Sequence, residues 1–287
     1  MNKYSNHKIC YIIVNYKSTK SINKIISRLM DVSSSIYVVD NSSDYKRLSN
    51  EHIISPNKNI GFGAAVNLAV SQLKERPEFL FLINPDVIFE VKDIVKMVSC
   101  LSVTEAGAVI PVSLGLNDSI KIAAFRKSIG IFEEIRMSFN FYKKALILEK
   151  LSNNSHACQK IEFIDASFCL VKYECFIKSG GFSKRIFMYG EDLVLSDRIK
   201  RLGYKILINN RVYIHHPGGE TFGSSKLMRI KRLFYSSFGA GKAISIIRKD
   251  RLYFLYIFSF LIILIARKLF HNRSGVCISK SMIKDKK

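Results

Sequence analysis

Short, uninterrupted apolar runs alternate along this chain with segments in which apolar residues recur every three or four positions. The clearest run, Phe79–Ile83, is apolar at every position, as is typical of a strand that is buried on both faces. Residues 19–30 carry isoleucine, leucine and methionine at helical spacing. Because strands that alternate with helices indicate βαβ units, we predict an α/β fold with a mostly parallel central sheet flanked by helices.

The same two patterns predict the other elements of the sheet and of its covering helices. The predicted strands cover residues 9–14, 36–39, 52–54, 79–83, 108–112, 161–171, 206–208 and 212–214, and the predicted helices cover 19–30, 63–74, 91–101 and 192–204. Residues 113–160 are weakly patterned, with a helix-like stretch near 131–149, and we interpret them as an excursion over the sheet.

Polar clusters follow three of the predicted strands. They are Asn15-Tyr16, Asp40-Asn41 and Asn84-Pro85-Asp86. Because right-handed crossovers bring the carboxyl ends of parallel strands to one edge, we expect these side chains to converge there. Pro85 ends its strand, and the carboxylate of Asp86 suits a hard cation such as Mg²⁺ or Mn²⁺ that is bridged to substrate phosphates. An ordinary turn would use the same residue types.

A glycine-rich segment, Asn59-Ile-Gly61-Phe-Gly63, precedes a predicted helix and invites a dinucleotide interpretation. The fingerprint is incomplete, because Val66 stands at its third glycine and the loop does not directly follow the first strand. A glycine-rich helix start can still receive a phosphate or a ribose through its free amides. A tight loop would need the same glycines for its backbone angles.

Two further motifs carry titratable side chains. Glu191-Asp192 opens a predicted helix, where acidic residues either cap the helix or act as a general base toward an acceptor hydroxyl. His215-His216 ends a strand. Because adjacent strand residues point to opposite faces, one imidazole would complete the cation site begun by Asp86 and the other would point away. Two turn histidines are the alternative, and the spacings match no zinc-hydrolase signature.

Seven motifs occur in a fixed order. They are Ile13-Val-Asn-Tyr16, Val38-Val-Asp-Asn-Ser-Ser43, Asn59-x-Gly-Phe-Gly-x-x-x-Asn67, Leu82-Ile-Asn-Pro-Asp86, Gly180-Gly-Phe182, Phe187-Met-Tyr-Gly-Glu-Asp192 and His215-His-x-Gly-Gly219. Over residues 8–222, the ordered set resembles the family 2 inverting glycosyltransferases with a GT-A fold, and within them the bacterial rhamnosyltransferase-like branch.

The resemblance implies a nucleotide-sugar site at the sheet edge. Asp86 matches the last residue of the family's metal motif, Asn84 stands at the first position of that motif, and His215 or His216 matches a late metal contact. Asp192 matches the catalytic base, with Glu191 beside it. The residues implied near the base and ribose of the donor come from the first strand ends and the glycine-rich loop: Asn15, Tyr16, Asp40, Asn41, Asn59, Gly61 and Asn67.

The implied reaction transfers a sugar with inversion, in one displacement, to an acceptor hydroxyl. The branch implies dTDP-L-rhamnose as donor and a polyprenyl-diphosphate-linked saccharide as acceptor, in O-antigen- or capsule-type synthesis. A UDP-hexose or UDP-N-acetylhexosamine donor is the alternative. Val194 and Ser183-Lys184 depart from the acceptor-side patterns of the branch, so the acceptor is the less determined partner. A non-catalytic nucleotide-sugar-binding or scaffold protein is the alternative from another class.

The six cysteines show neither a Cys-x-x-Cys pair nor a zinc-ligand spacing. Several stand inside apolar runs, as Cys169 does, which is typical of small buried hydrophobes and of a reducing, cytosolic setting. The residues before the first strand contain no apolar segment of the kind found in signal peptides, so we expect no cleaved leader.

The formal net charge of +22 is concentrated toward the end of the chain. Residues 223–287 hold 15 lysines and arginines against two aspartates, a net charge of +13. Within them, residues 252–266 are apolar except for Ser259, which is shorter than the ~20 residues that a transmembrane helix needs. Residues 226–251 have an amphipathic pattern. We therefore predict a catalytic domain over 1–222 and, over 223–287, a basic, apolar helical region that associates with membranes.

The composition of this terminal region favours a membrane surface over nucleic acid as its partner. Apolar residues interleaved with cations predict an anionic membrane surface, at the cytoplasmic face of the bacterial inner membrane. A short true span and a packed core helix are the alternatives. We predict no nucleic-acid partner, because nucleic-acid arms need exposed polar surface and this region is apolar.

Overall fold

The computed structural model describes residues 8–30, 35–102, 105–115, 120–121, 127, 157–217 and 226–270. The helix-like stretch predicted near 131–149, the predicted boundary at 222 and the glycines of the His215 motif lie outside these residues. The strands are β1 Ile9–Asn15, β2 Ile36–Asp40, β3 His52–Ile54, β4 Phe79–Ile83, β5 Ala106–Leu114, β6 Cys158–Ile161, β7 Phe168–Lys172 and β8 Lys205–His215. The helices are α1 Thr19–Leu29, α2 Phe62–Ser71, α3 Val91–Ser102, α4 Tyr173–Lys178, α5 Glu191–Arg201, α6 Lys226–Arg248 and α7 Tyr253–Phe270.

The strands form one sheet in the order β3-β2-β1-β4-β7-β5-β8-β6. Strands β1 to β4 are parallel to their neighbours among themselves, and β5 is parallel to β8. Strand β7 lies antiparallel between β4 and β5, and β6 is antiparallel to β8. The predicted α/β fold with a mostly parallel central sheet is confirmed, since only β6 and β7 run against the other six strands.

Three of the predicted strands are divided or joined differently in the structure. The run at 161–171 is broken by a loop, so that β6 ends at Ile161 and β7 begins only at Phe168. Conversely, the runs at 206–208 and 212–214 belong to one strand, β8, which continues through Asn209 and Asn210 with a register shift against β5. The Asn209 side chain donates to the carbonyl oxygen of Lys96 on α3 at 3.0 Å, which gives this polar residue a partner inside the sheet.

Both faces of the sheet are covered. Alternate residues of β1 point to opposite faces, so that Ile12 joins the core beneath α2 and α5, and Ile13 joins the core beneath α1 and α3. Strand β4 is buried at all of its positions, as its continuous apolar run predicts. Because both faces are closed, ligands can reach the sheet only at the ends of its strands.

The strand directions bring five chain segments to one edge of the sheet. The carboxyl ends of β1, β2, β4 and β8 lie there, since these strands run the same way. Strand β7 runs the opposite way and pairs Phe168 with Ile83, so the loop that precedes β7 lies at this edge too. The convergence predicted for the polar clusters at the strand ends follows from this topology.

Helices α6 and α7 form a hairpin that packs on the rest of the chain. Gly241 faces α7 so closely that a Cβ there would lie 2.6 Å from Cγ1 of Ile257. Ala243 of α6 is buried against Leu193 and Val194 of α5. Within the part of the chain that the structure describes, no helix is long and apolar enough to cross a membrane.

The cysteines correct one expectation. Cys10, Cys169 and Cys175 are buried free thiols, as their apolar surroundings predict. Cys100 of α3 and Cys158 of β6 instead form a disulfide, so they are not the separate small hydrophobes that a reducing setting predicts. They are 58 residues apart in the chain, and sequence spacing gave no sign of their pairing. Cys277 lies outside the described residues.

Candidate active site

A cavity of about 280 Å³ opens at the edge where the strand ends converge. Its wall comes from the segments after β1, β2, β4 and β8, the loop before β7, the first residues of α2 and α5, and one residue of α6. The carboxyl edge of an α/β sheet is where such folds bind ligands. Within this cavity, two groups of side chains carry the chemistry.

The first group is an aspartate–histidine pair. Nε2 of His216 lies 3.2 Å from Oδ1 of Asp86, and the two side chains are only 12% and 11% exposed. Burial acts to raise the pKa of Asp86, but the net pKa is lowered by the hydrogen bond and charge of His216 together with a backbone hydrogen bond and the charge of Lys121. Nδ1 of His216 is buried without a hydrogen-bond partner among the described residues. Asn84 also lines the cavity, directly before the proline turn that presents Asp86.

His215 has a different environment. Its backbone pairs with Ile88 through two hydrogen bonds of 2.8 and 3.0 Å, and its side chain is exposed. It does not line the cavity, whereas His216 does. The alternation of adjacent residues thus separates the two histidines, and only His216 meets Asp86.

The second group is the acidic pair at the start of α5. Gly190 precedes the helix in the left-handed conformation, with φ of 98°, and the turn directs Glu191 and Asp192 to the cavity wall. Oδ1 of Asp192 accepts the backbone N–H of Leu193 at 2.9 Å. Glu191 is buried and its Oε2 has no partner among the described residues. Burial, followed by the negative charge of Asp192, raises the pKa of Glu191 to about 8.

Asn41 and Asn59 shape the part of the wall nearest α2. Nδ2 of Asn41 donates to the carbonyl oxygen of Gly61 at 3.3 Å, and Oδ1 of Asn59 accepts the N–H of Gly61 at 2.9 Å. Gly61 has a φ of 83°, and a Cβ there would overlap the carbonyl oxygen of Phe187. Glycine is therefore required at this helix start by both its backbone angle and its surroundings. Tyr16, after β1, lines the same cavity.

Asn15 and Asp40 lie behind the wall and not on it. Both are buried, and Nδ2 of Asn15 donates to Oδ1 of Asp40 at 2.9 Å and to Oδ1 of Asp44 at 2.8 Å. The other oxygen of Asp40 accepts the N–H of Tyr45 at 2.9 Å. These bonds fix the ends of β1 and β2 relative to each other, and hence the positions of Tyr16 and Asn41.

Asn67 is also outside the cavity wall. It lies on α2, where its amide donates to the carbonyl oxygen of Phe182 at 2.9 Å and accepts the N–H of Phe182 at 3.0 Å. A Cβ on the neighbouring Gly181 would lie 2.5 Å from Oδ1 of Asn67. In this geometry the side chain joins α2 to the turn that follows α4.

Four further titratable residues of the cavity wall were not among the predicted site residues. They are Asp165, which lies inside the run predicted as one strand, Lys121, which lies in the weakly patterned segment, Tyr189, which belongs to the Phe187–Asp192 motif, and Arg232. Burial lowers the pKa of Lys121, against the attraction of Asp165 and Asp86. Arg232 belongs to the predicted membrane-associating region, yet it lines this cavity from α6.

The donor set fits a divalent cation that is shared with a ligand. No group of three or more histidine, cysteine, aspartate or glutamate side chains is arranged to hold a metal ion within the described residues. Asp86 and His216 supply one carboxylate and one imidazole that already face each other. Two protein ligands are the usual number where substrate phosphates complete the shell of Mg²⁺ or Mn²⁺. The residues present therefore fit a metal that binds together with a diphosphate.

Comparison with solved structures identifies the fold. A crystal structure of GalNAc-T7 with UDP, GalNAc and Mn²⁺ has a TM-score of 0.54 over 84% of this chain and 51% of its own, at 11% identity. The S. aureus TarS 1–349 complex with UDP-GlcNAc has a TM-score of 0.52 over 90% of this chain and 73% of its own, at 15% identity. The fold is thus that of the GT-A-like glycosyltransferases.

Sequence comparison finds relatives among the glycosyltransferases. No family model matches the chain. N-acetylglucosaminyl-diphospho-decaprenol L-rhamnosyltransferase of Mycobacterium tuberculosis is 25% identical over 211 residues, which are 65% of this chain and 68% of that protein. Rhamnosyltransferase WbbL of Escherichia coli is 26% identical over 184 residues, which are 61% of this chain and 69% of that protein. The resemblance to the rhamnosyltransferase-like glycosyltransferases is confirmed by these relatives.

Proposed function

We propose that this protein is a metal-dependent, inverting family 2 glycosyltransferase that moves L-rhamnose from dTDP-L-rhamnose onto a lipid-linked saccharide. The observation that carries the proposal is one cavity lined by both the Asp86–His216 pair and the Glu191–Asp192 pair. The first pair suits the diphosphate side of a nucleotide sugar, and the second suits the hydroxyl of an acceptor. Relatives named as rhamnosyltransferases support the donor.

On the donor side, Asp86 and His216 would hold Mg²⁺ or Mn²⁺. The ion, when bound, supplies Lewis-acid neutralisation of the diphosphate leaving group. The amides of Asn41 and Asn59 and the ring of Tyr16 line the wall next to the glycine-rich start of α2. These groups offer hydrogen bonds and a stacking surface to the base and ribose of a nucleotide.

On the acceptor side, Asp192 would accept the proton of the acceptor hydroxyl as its oxygen bonds to the anomeric carbon. The bond from that carbon to the diphosphate oxygen breaks on the opposite face, so the anomeric configuration inverts. The raised pKa of Glu191, about 8, keeps that carboxyl neutral near pH 7. Two neighbouring carboxyls in different environments can thus take different roles in proton transfer.

A UDP-sugar donor remains the second candidate. It is favoured by a specific observation, since TarS in complex with UDP-GlcNAc shares the fold over 90% of this chain. The two donors differ in base as well as sugar, so nucleotide affinity separates the candidates.

The α6–α7 hairpin supports action at a membrane surface, which we propose to be the cytoplasmic face of the bacterial inner membrane. Phe254, Phe258, Ile262 and Ile265 recur on one side of α7 and are all about half exposed or more. An apolar stripe of this kind, in a region of net charge +13, suits shallow insertion into anionic lipid. Carbonate extraction of membranes tests this: release is expected, and retention would indicate deeper insertion.

The proposal is tested first by calorimetric binding of dTDP, UDP and GDP, each with and without Mn²⁺. We expect dTDP to bind most tightly and only with the cation. Preference for UDP would replace the donor by the second candidate. If a folded sample binds none of the three nucleotides, the proposed function is wrong.

A substitution pair then tests the base. Asp192→Asn keeps the shape of the side chain but removes its basicity, so transfer should fall at least about a thousandfold while nucleotide affinity is retained. Asp197→Asn is the matched control on the same helix, where the side chain pairs with Arg201 at 2.6 Å. Wild-type turnover in Asp192→Asn would remove this residue from the mechanism.

A further inference from the structure

The cavity wall is acidic, and its basic residues are few. Among the described lining residues, Asp86, Asp165, Glu191 and Asp192 are acids, whereas the only lysine or arginine side chains are Lys121 and Arg232. A nucleoside diphosphate brings further negative charge into this space. Its outer phosphate therefore needs a cationic side chain in addition to a metal ion, since like charges in a partly buried site repel strongly.

Arg232 enters the cavity from a helix outside the sheet and its crossovers. Burial raises the pKa of the Tyr189 hydroxyl, and the charge of Arg232 and a hydrogen bond with its side chain act against that rise, so Arg232 lies beside the tyrosine that precedes the acidic pair. The charge of Arg232 also acts on Lys121, so the two cations face the same space. Arg232 is exposed overall and lines the cavity, so a ligand in the cavity can contact its side chain, which carries five N–H donors.

The position of Arg232 is fixed by the face of α6 on which it lies. Arg232, Gly239 and Ala243 stand at intervals of seven and four residues, and so share one side of the helix. A Cβ on Gly239 would overlap the carbonyl oxygens of Met188 and Tyr189, and one on Gly190 would lie 2.7 Å from the carbonyl oxygen of Gly239. The helix backbone is therefore in direct contact with the turn that presents the acidic pair.

Below this contact, Ala243 is buried with Leu193 of α5. About 10 Å of helix separates Gly239 from Arg232, which is too short for α6 to move independently of its anchored part. The side of α6 that holds the helix in place thus also directs the guanidinium to the cavity.

We propose that Arg232 is a donor-binding residue that contacts the outer phosphate of the nucleoside diphosphate, so that α6 completes the active site. This inference rests on the proposed function, because it assigns a contact within the same nucleotide site. A guanidinium suits the role, since its planar fork binds two phosphate oxygens at once.

The test compares nucleoside diphosphate with nucleoside monophosphate by calorimetry in the full chain with Mn²⁺, using dTDP and dTMP (UDP and UMP if UDP is preferred). We expect Arg232→Gln to weaken diphosphate affinity about 10- to 100-fold, the effect of losing one hydrogen bond to a charged group. Monophosphate affinity should change little, because the monophosphate lacks the outer phosphate. Arg232→Lys keeps the charge without the fork and should give an intermediate loss. Lys231→Gln is the matched control, because its exposed side chain does not line the cavity.

The outcomes separate the two proposals. If the wild-type protein binds none of the nucleotides, the proposed function is wrong and this contact with it. If the wild type binds diphosphate and Arg232→Gln binds it equally well, only the role of Arg232 is overturned. Equal losses for diphosphate and monophosphate would also overturn it, because they would indicate a general disturbance of the site. Unchanged thermal unfolding of Arg232→Gln and Arg232→Lys confirms that both variants are folded.

Discussion

Replacing Asn67 by alanine separates a structural from a nucleotide-binding role for this residue. The family resemblance implies that Asn67 lies near the nucleotide, but its amide makes two hydrogen bonds, of 2.9 and 3.0 Å, to the backbone of Phe182. Phe182 is buried, at 1% exposure. Each bond contributes about 1 kcal/mol, and a buried backbone group left without a partner costs about 1–3 kcal/mol more. We expect Asn67→Ala to lower the free energy of unfolding by about 2–4 kcal/mol.

The assay combines urea unfolding with calorimetric nucleotide binding at a temperature where the variant remains folded. Gln72→Ala is the matched control, since Gln72 is exposed next to the end of α2 and its substitution should change stability by less than about 0.5 kcal/mol. Nucleotide affinity should be unchanged in both variants, because neither side chain lines the cavity. Weaker nucleotide binding by a variant of normal stability would refute this reasoning and place Asn67 in the donor site.

Three other predictions test the site and its support. The raised pKa of Glu191, about 8 against an ordinary value of 4.5, means that the folded protein keeps a proton that the unfolded chain loses. Wild-type stability should therefore fall as pH rises from about 4.5 to about 8. In Glu191→Gln the urea midpoint should depend less on pH. An unchanged slope would contradict the raised pKa of Glu191. Gly239→Val should lower the unfolding midpoint and weaken nucleotide binding together, because its side chain would overlap the backbone of Tyr189; a wild-type melting curve would contradict that contact. Asp86→Asn should abolish the gain in nucleotide affinity on adding Mn²⁺, and a persisting gain measured by calorimetry would place the ion elsewhere.

The sheet was predictable where each strand has its own clear pattern. The continuous apolar run of β4 predicted the strand, and the polar residues after it predicted the end that lines the cavity. The direction of β7 was not predictable, because a periodic pattern says which residues are buried but not which way the strand runs. The polar residues of Asp165-Ala166-Ser167 did indicate a break, since they interrupt the apolar run that we predicted as one strand.

The cavity residues that could be predicted from the sequence are those that directly follow strands. Asn41, Asn84 and Asp86 lie directly after parallel strands, and a common edge follows from topology alone. Lys121 and Arg232 come from segments with no fixed relation to the sheet in sequence. Their position in the cavity wall depends on long-range packing, which cannot be inferred from residue patterns within each segment. The pairing of Cys100 with Cys158 escaped prediction for the same reason.

The contacts of helix α6 indicate that the basic terminal region is not structurally independent of the rest of the chain. One side of the helix carries Gly239 and Ala243 into contact with the turn and helix of the acidic pair, and two turns earlier it directs Arg232 into the cavity. Its partner helix α7 packs at Gly241 and exposes an apolar stripe that includes Phe258. The same hairpin would therefore meet both the donor and a lipid surface. If both proposals hold, a shift of the hairpin at a membrane surface would also move the Arg232 side chain, because α6 is one continuous helix from Arg232 to its contact with α7.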